Sequence, residues 1–224
     1  MKNIAILQFP GTNCDLDTVY AFDKLGCKTH IVWHKETSLP KDTDLVVIAG
    51  GFSYGDYLRS GAIAKFSPIM KGVVEYANSG GKVLGICNGF QILTEVGLLE
   101  GALKRNINLH FISKFQTLKV VNNRNEFLQK CEKDEVLNIP IAHADGNYYI
   151  DEDGYRELEK NGQILVQYCN PRGEREVVNG SVNSIAGICN KEKNVFGLMP
   201  HPERAMEMVL GSKDGVKMLE GLIA

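Results

Sequence analysis

The sequence predicts an α/β fold: a doubly wound, mainly parallel sheet with flanking helices, and extra antiparallel strands in the C-terminal half. Three observations carry this reading. Short apolar runs alternate with helical patterns through the first half of the chain, as βαβ units feeding a parallel sheet do. Val83, Leu84 and Ile86 make a strand too apolar for the edge of a sheet. After Leu99, strand-like runs follow one another with turns between them, which favours antiparallel pairing.

Taken in order, Lys2 to Phe9 reads as a buried strand closed by Pro10-Gly11, and Asp15 to Leu25 as a helix ended by Gly26. Thr29 to Trp33 and Asp44 to Ala49 are the next strands. A glycine-bearing loop from Gly50 to Gly61 leads to a helix over Ser67 to Ser79. The strand beginning at Lys82 follows, and then Phe90, Ile92, Leu93, Val96 and Leu99 give a helical face from Phe90 through Leu99. Beyond it, Phe115 to Val121, Ile139 to Ala142, Gln163 to Tyr168, Ile185 to Cys189 and Val195 to Met199 read as strands, and Lys213 to Ile223 as a closing helix. No repeat, low-complexity tract or linker interrupts the pattern, so a single domain over residues 1–224 is expected.

Composition narrows the function classes. With 44% hydrophobic and 23% charged residues over 224 positions, the chain reads as an ordinary globular protein with room for a large core. A net charge of -2 gives no electrostatic case for nucleic acid or anionic membranes. The apolar run at the N-terminus is too short for a signal peptide, and none approaches the ~20 residues of a membrane helix. A cytoplasmic location is therefore expected. Six scattered cysteines without a Cys-x-x-Cys pair are expected as free thiols, and the sequon at Asn179 as a turn.

Chemistry concentrates at Gly85-Ile-Cys87-Asn-Gly89, between the apolar strand and the helix. This is a Gly-x-nucleophile-x-Gly elbow with cysteine at the nucleophile position. A side chain held on a sharp strand-to-helix turn needs small neighbours two residues away on either side. The helix that follows aims unpaired N–H groups and its positive dipole end at the sulfur. A buried, inert cysteine is the alternative for any single cysteine, but strand, glycines and helix all fall here in the required order.

A nucleophilic cysteine needs a base and the base an orienting group. Of five histidines, His201 in Met199-Pro-His-Pro-Glu-Arg204 is the best placed, directly after an apolar strand. Pro202 biases it towards extended backbone, which would project residues 201 and 203 to one side and set Glu203 against the imidazole. A structural histidine in a proline-rich turn remains the alternative. His143 is a second candidate, at a strand end in Ala142-His-Ala-Asp-Gly-Asn-Tyr148, while His110 has no catalytic company. His30 and His34 have helical metal-pair spacing but straddle a strand end, so no metal is expected there. Oxyanion donors are expected from the N–H of Asn88 and from Gly50-Gly51. That loop lacks the nucleotide-binding glycine patterns.

Gly85-Ile-Cys87-Asn-Gly-Phe-Gln91 and Pro200-His-Pro-Glu203 together resemble the motifs of the class I glutamine amidotransferases. Phe9-Pro-Gly-Thr-Asn-Cys14 and the block Gly50 to Arg59 extend the resemblance over nearly the whole chain. It implies a flavodoxin-like amidotransferase domain with the triad Cys87, His201 and Glu203. It further implies a glutaminase subunit that makes a glutamyl thioester and passes ammonia to a separate ATP-dependent synthetase in purine biosynthesis, with a small accessory subunit as a further partner. ATP and magnesium would belong to the synthetase, and no cofactor to this chain. Carried over residue by residue, Gly51 and Asn88 would supply oxyanion donors, Gln91 would contact the substrate L-glutamine, and Ser53, Asn147 and Tyr148 would hold its amino-acid end. A cysteine-elbow hydrolase or glyoxalase acting alone, and a non-catalytic regulatory subunit, are the competing readings.

Overall fold

Runs with no polar interruption go to the centre of the sheet. Leu45-Val-Val-Ile48 is buried at every position, and so is Val83 to Ile86. The computed structural model describes residues 1–224. Its first half alternates strand and helix: β1 (Asn3–Gln8), α1 (Asp15–Lys24), β2 (Lys28–Trp33), β3 (Leu45–Ile48), α2 (Pro68–Asn78), β4 (Lys82–Ile86) and α3 (Asn88–Glu95). The second half is strand-rich: β5 (Ala102–Lys104), β6 (Ile112–Val120), β7 (Val136–His143), β8 (Asn147–Tyr149), α4 (Glu152–Lys160), β9 (Ile164–Tyr168), β10 (Ile185–Cys189), β11 (Val195–Leu198) and α5 (Asp214–Ile223).

Nine strands form one sheet in the order β2-β1-β3-β4-β11-β10-β9-β6-β7. The first five run parallel to one another, and the last four add on antiparallel. From β1 the chain steps one way to β2, and from β3 it steps the other way to β4. Right-handed crossovers therefore put α1 and α2 on opposite faces, and the strand order reverses between β1 and β3. In such sheets the crevice outside the carboxyl ends at the reversal is where ligands bind. The loops after β1, β3 and β4 open there. Because β11 lies parallel beside β4, with Leu198 level with Ile86, the segment after β11 opens there too.

The elements expected from periodicity are present, with three differences. Helix α3 starts at Asn88 and ends at Glu95, short of Leu99, because Gly97 takes a left-handed φ of 76° and turns the chain. Helix α4 was invisible to hydrophobic pattern because Leu158 is its only buried residue. What marks it is Asp151, whose side chain caps the Gly154 N–H, followed by acidic Glu152 and Asp153 in the first turn. Strands β5 and β8 pair only with each other, and three residues each is too short for an alternating signal.

Tight packing of α3 on β3 sets the position of the elbow. An added Cβ on Gly89 would lie 2.0 Å from the Ile48 carbonyl oxygen. Gly89→Ala is therefore expected to destabilise the fold by about 1–3 kcal/mol, seen as a lower urea midpoint. The control is Gly72→Ala in α2, where the nearest atom to a new Cβ is 3.7 Å away. That change is expected to be neutral or to stabilise by up to about 1 kcal/mol.

Candidate active site

Cys87 sits between β4 and α3 with φ 51° and ψ -105°, a conformation that non-glycine residues rarely adopt. Its neighbours make the turn possible. A Cβ on Gly85 would come within 2.6 Å of the Gly89 backbone, so strand and helix close up only because both positions lack side chains. The Cys87 N–H donates to the Leu198 carbonyl at 2.8 Å, tying the elbow to the end of β11. Its Sγ lies 3.7 Å from the Ala142 carbonyl oxygen, at the end of β7.

From β11 the chain passes through Pro200 to His201, whose N–H donates to the Pro140 carbonyl at 2.8 Å. The expected extended run over 201–203 is not what brings the pair together. Pro202–Arg204 form a single 3₁₀ turn, and His201 lies just before it at φ -109° and ψ 83°. Pro202 occupies the first helical position, where its missing N–H costs nothing, so the proline starts a turn and does not prolong a strand. The turn swings Glu203 beside the ring, and His201 Nδ1–H donates to Glu203 Oε1 at 2.6 Å. Both side chains are buried.

That bond leaves His201 Nε2 as the free nitrogen, and it has no partner within the chain. Burial by itself would lower the imidazole pKa. The Glu203 carboxylate, followed by Cys87, outweighs it and holds His201 well above its ordinary value. Gly50 is where the pieces converge: a Cβ there would be 2.9 Å from His201 Cε1, 3.2 Å from Cys14 Sγ and 3.4 Å from Cys87 Cβ.

Two backbone N–H groups next to the elbow are left without a carbonyl partner. Gly51, at φ 148°, is pressed against the segment after β1, where a Cβ would meet the Gly11 oxygen at 2.7 Å. Its N–H donates to no carbonyl, and neither does that of Asn88, the first residue of α3. The Asn88 side chain fastens the loop to the helix: Oδ1 accepts from the Ser53 N–H at 3.0 Å and Nδ2 donates to Gln91 Oε1 at 2.8 Å. Gln91 Nε2 then donates to the Asp145 carbonyl at 2.7 Å.

Cys87, His201, Gly51 and Gln91 all line one cavity of about 340 Å³. Ser53, Asn147 and Tyr148, expected to hold the amino-acid end of a substrate, do not line it. Tyr148 is turned into the core by the alternation of β8. It stacks on Phe90 with centroids 5.8 Å apart and donates its hydroxyl to the Glu100 carbonyl at 2.9 Å. Asn147 reaches the Arg105 carbonyl. Ser53 is buried behind the loop, its hydroxyl unpartnered.

Residues outside the expected triad and oxyanion set complete the wall, among them His143, the second candidate base. Cys14, at the start of α1, lines the cavity and accepts from Arg204 Nη2 at 3.1 Å. Burial pushes its thiol pKa up, against the pull of His201. Cys14 Sγ, a His201 ring nitrogen and a Glu203 oxygen lie within 4.8 Å of one another, a spacing metals use. The Nδ1–Oε1 contact at 2.6 Å, however, leaves no room for an ion between those two atoms. His143 also lines the cavity, its pKa lowered to about 4 by burial and then by the charge of His201, so the ring is neutral at pH 7. Asp56, Ser60, Asp145 and Arg204 make up the polar remainder. Elsewhere, His34 Nδ1 is engaged by the Tyr54 hydroxyl at 2.7 Å, all six cysteines are free, and Asn179 is buried with its amide on the Gly146 carbonyl.

Because Glu203 is the largest influence opposing burial at His201, Glu203→Gln is expected to lower the His201 pKa. The test is an NMR titration of its ring Cε1 proton. An unchanged midpoint would show that Cys87 or Cys14, and not Glu203, holds the ring.

Comparison with known proteins agrees with this geometry. Residues 1–217 match the CobB/CobQ-like glutamine amidotransferase domain. A protein of Sulfurimonas denitrificans named phosphoribosylformylglycinamidine synthase subunit PurQ is 66% identical over 220 residues, which is 98% of each chain. A Campylobacter jejuni protein of the same name is 59% identical over 98% of this chain and 95% of its own. Among solved structures, a chain of PurLQS from Thermotoga maritima superposes with a TM-score of 0.89 at 40% identity, covering 99% of this chain and 97% of that one. A second Thermotoga maritima structure, a glutamine amidotransferase at 16% identity and TM-score 0.61, shares the fold. The chain belongs to the glutamine amidotransferase family, among the PurQ subunits of phosphoribosylformylglycinamidine synthase.

Proposed function

We propose that this chain hydrolyses L-glutamine to glutamate and ammonia through a thioester on Cys87. The ammonia goes to a separate ATP-dependent synthetase that converts formylglycinamide ribonucleotide to the amidine in purine biosynthesis. The observation that carries the chemistry is a strained elbow cysteine sharing one cavity with a histidine that has one ring nitrogen on Glu203 and the other without a partner. The names of its relatives and the PurLQS assembly of the Thermotoga maritima chain support the synthetase and a small third subunit as partners. ATP and magnesium are assigned to the synthetase, and the site of action to the cytoplasm.

In this reading His201 Nε2 holds the proton given up by Cys87, and Sγ attacks the side-chain amide carbon of glutamine as the thiolate of that pair. Charge developing on the amide oxygen is met by the N–H groups of Gly51 and Asn88. Collapse of the tetrahedral adduct breaks the C–N bond, and the imidazolium gives its proton to the departing nitrogen, releasing ammonia. Water, deprotonated by the same nitrogen, then attacks the thioester, and glutamate leaves as the thiol is restored. Glu203 holds the ring in the tautomer with Nε2 free and stabilises the imidazolium. Both ends of the Gln91 amide are engaged within the chain, so its role is to hold the Asp145 loop against α3.

Cys87→Ala in the complex is expected to abolish glutamine-dependent amination and to leave ammonia-dependent amination within about twofold of wild type. Equal loss of both activities in an assembled complex would overturn the division of labour. His201→Asn is expected to lower glutaminase turnover by roughly 10²–10⁴-fold, with Glu203→Gln milder. Ammonia release measured by a coupled assay reads both. A fully active His201→Asn protein would remove it from the mechanism.

A further inference from the structure

The loop after β3 is bent in a way that its own residues resist. Tyr54, Asp56 and Leu58 have left-handed φ, at 52°, 54° and 69°. In each, Cβ is brought close to the following carbonyl, so the bend persists only where the surroundings hold it. Backbone ties the loop to the segment after β1: the Phe52 N–H donates to the Gly11 carbonyl at 3.0 Å, and the Tyr54 N–H to that of Pro10 at 2.6 Å. Side chains supply two further ties. One is the bond from the Ser53 N–H to Asn88 Oδ1. The other is the Tyr54 hydroxyl, 2.7 Å from His34 Nδ1 and 2.9 Å from Ser67 Oγ. With a single proton, that hydroxyl donates to one of these neighbours and accepts from the other.

Both neighbours are fixed by elements outside the loop. His34 is buried directly after β2; its N–H donates to the Gln8 carbonyl at 2.9 Å, and its own carbonyl accepts from the Ile69 N–H of α2 at 3.3 Å. Its ring meets Trp33 and Tyr54 edge-on, with centroids 4.4 Å and 5.5 Å away. Burial lowers its pKa, so the ring is neutral at pH 7. Ser67, also buried, adds an independent sign. It occupies the N-cap of α2, where a serine oxygen ordinarily accepts from the first N–H groups of the helix. Here it makes no capping bond, and its hydroxyl goes to Tyr54 instead. Neither His34, Tyr54 nor Ser67 lines the cavity that holds Cys87.

We propose that Tyr54 is a positioning residue for the glutaminase reaction: clamped by His34 and Ser67 from outside the cavity, it holds the glycine loop in the bend that aims the Gly51 N–H at the oxyanion. This role rests on the glutaminase reading, with Gly51 as an oxyanion donor, and names what keeps that donor in place. Tyr54 follows Gly51 by three residues, and Gly51 has no slack of its own. A Cβ there would meet the Gly11 oxygen at 2.7 Å and the Asn13 nitrogen at 2.8 Å. A change of backbone at Tyr54 is therefore passed along the chain and carries the Gly51 N–H out of reach of Cys87. Oxyanion donors act on the charge that develops in the transition state, so the clamp governs turnover and leaves glutamine binding alone.

The test uses the assembled complex and Tyr54→Phe, which keeps the ring against His34 and removes the hydroxyl. Its kcat for glutamine is expected to fall roughly 10- to 100-fold, short of the ~10²–10³ for outright loss of an oxyanion donor. KM is expected to stay within about threefold. Alkylation of Cys87 by iodoacetamide attacks a saturated carbon and develops no oxyanion, so its rate should stay within about twofold of wild type. Ser67→Ala is expected to lower kcat in the same way by a smaller factor. The double variant should be no worse than Tyr54→Phe alone, because Ser67 acts only through the phenol. Wild-type kcat in Tyr54→Phe overturns the role, as does a parallel loss of kcat and alkylation, which marks a general distortion of the elbow. Additive losses in the double variant overturn the clamp. If Tyr54→Phe shows no cooperative urea transition, Ser67→Ala carries the test with the same split between kcat and alkylation. A wild-type complex that releases no ammonia from glutamine would instead overturn the glutaminase reading, and this role with it.

Discussion

The contact on which the rest of the site depends is the one between α3 and β3. Gly89 lies so close to the Ile48 carbonyl that no side chain fits between them, and Gly85 is too close to the Gly89 backbone to carry one. Because close-packed backbone does not yield, the direction of α3 is locked to the carboxyl end of β3. One end of that lock carries Cys87 and the free Asn88 N–H, and the other continues directly into Gly50 and Gly51. The proposed nucleophile and oxyanion donors are therefore brought to one place by backbone packing, and the Asn88 side chain ties the glycine loop to the helix. Strain at Cys87 is sustained by the same packing, since nothing at the elbow can relax without opening the strand–helix junction.

The His201–Glu203 pair is held by a different balance. Two ionisable groups buried together cost desolvation that their attraction only partly offsets, so such a pair is poor evidence of stability. Burial alone would drive the imidazole neutral, whereas Glu203 holds it towards its protonated form. The proposed role of His201, accepting and returning a proton, needs that opposition of influences. His143, a few ångströms of cavity wall away, has no carboxylate bonded to its ring and falls to a pKa of about 4. Two histidines in one cavity are thus given opposite protonation behaviour by their neighbours alone.

Side-chain amides connect what the backbone leaves separate. Ser53, Asn88, Gln91 and Asp145 form a relay of hydrogen bonds from the glycine loop, across the first turn of α3, to the turn after β7. Each amide both donates and accepts within the relay, as buried amides must if their polar atoms are to be satisfied. Movement of either loop must therefore be felt at the elbow helix.

Local signals in the sequence sufficed for the alternation of strands and helices, the elbow at Gly85–Gly89 and the candidate triad of Cys87, His201 and Glu203. Each depends on residues close together in the chain: apolar runs, paired glycines around a cysteine, a histidine two positions from a glutamate. Even there the backbone at Pro202 formed a 3₁₀ turn where the neighbouring proline suggested extension, because the restriction on the residue before a proline says nothing of the residues after it. Helix α4 carries no hydrophobic signal because its face is almost entirely solvated, and the inward turn of Tyr148 carries none because β5 and β8 are too short to show which way their side chains alternate. What only the tertiary structure decided is the composition of the cavity wall. Cys14, Asp56 and the neighbouring His143 and Asp145 come from three separate segments, and no local pattern records that a reversal of strand order brings those segments to one crevice. Their charges and hydrogen-bonding needs depend on neighbours distant in sequence, so their chemistry exists only once the sheet has formed.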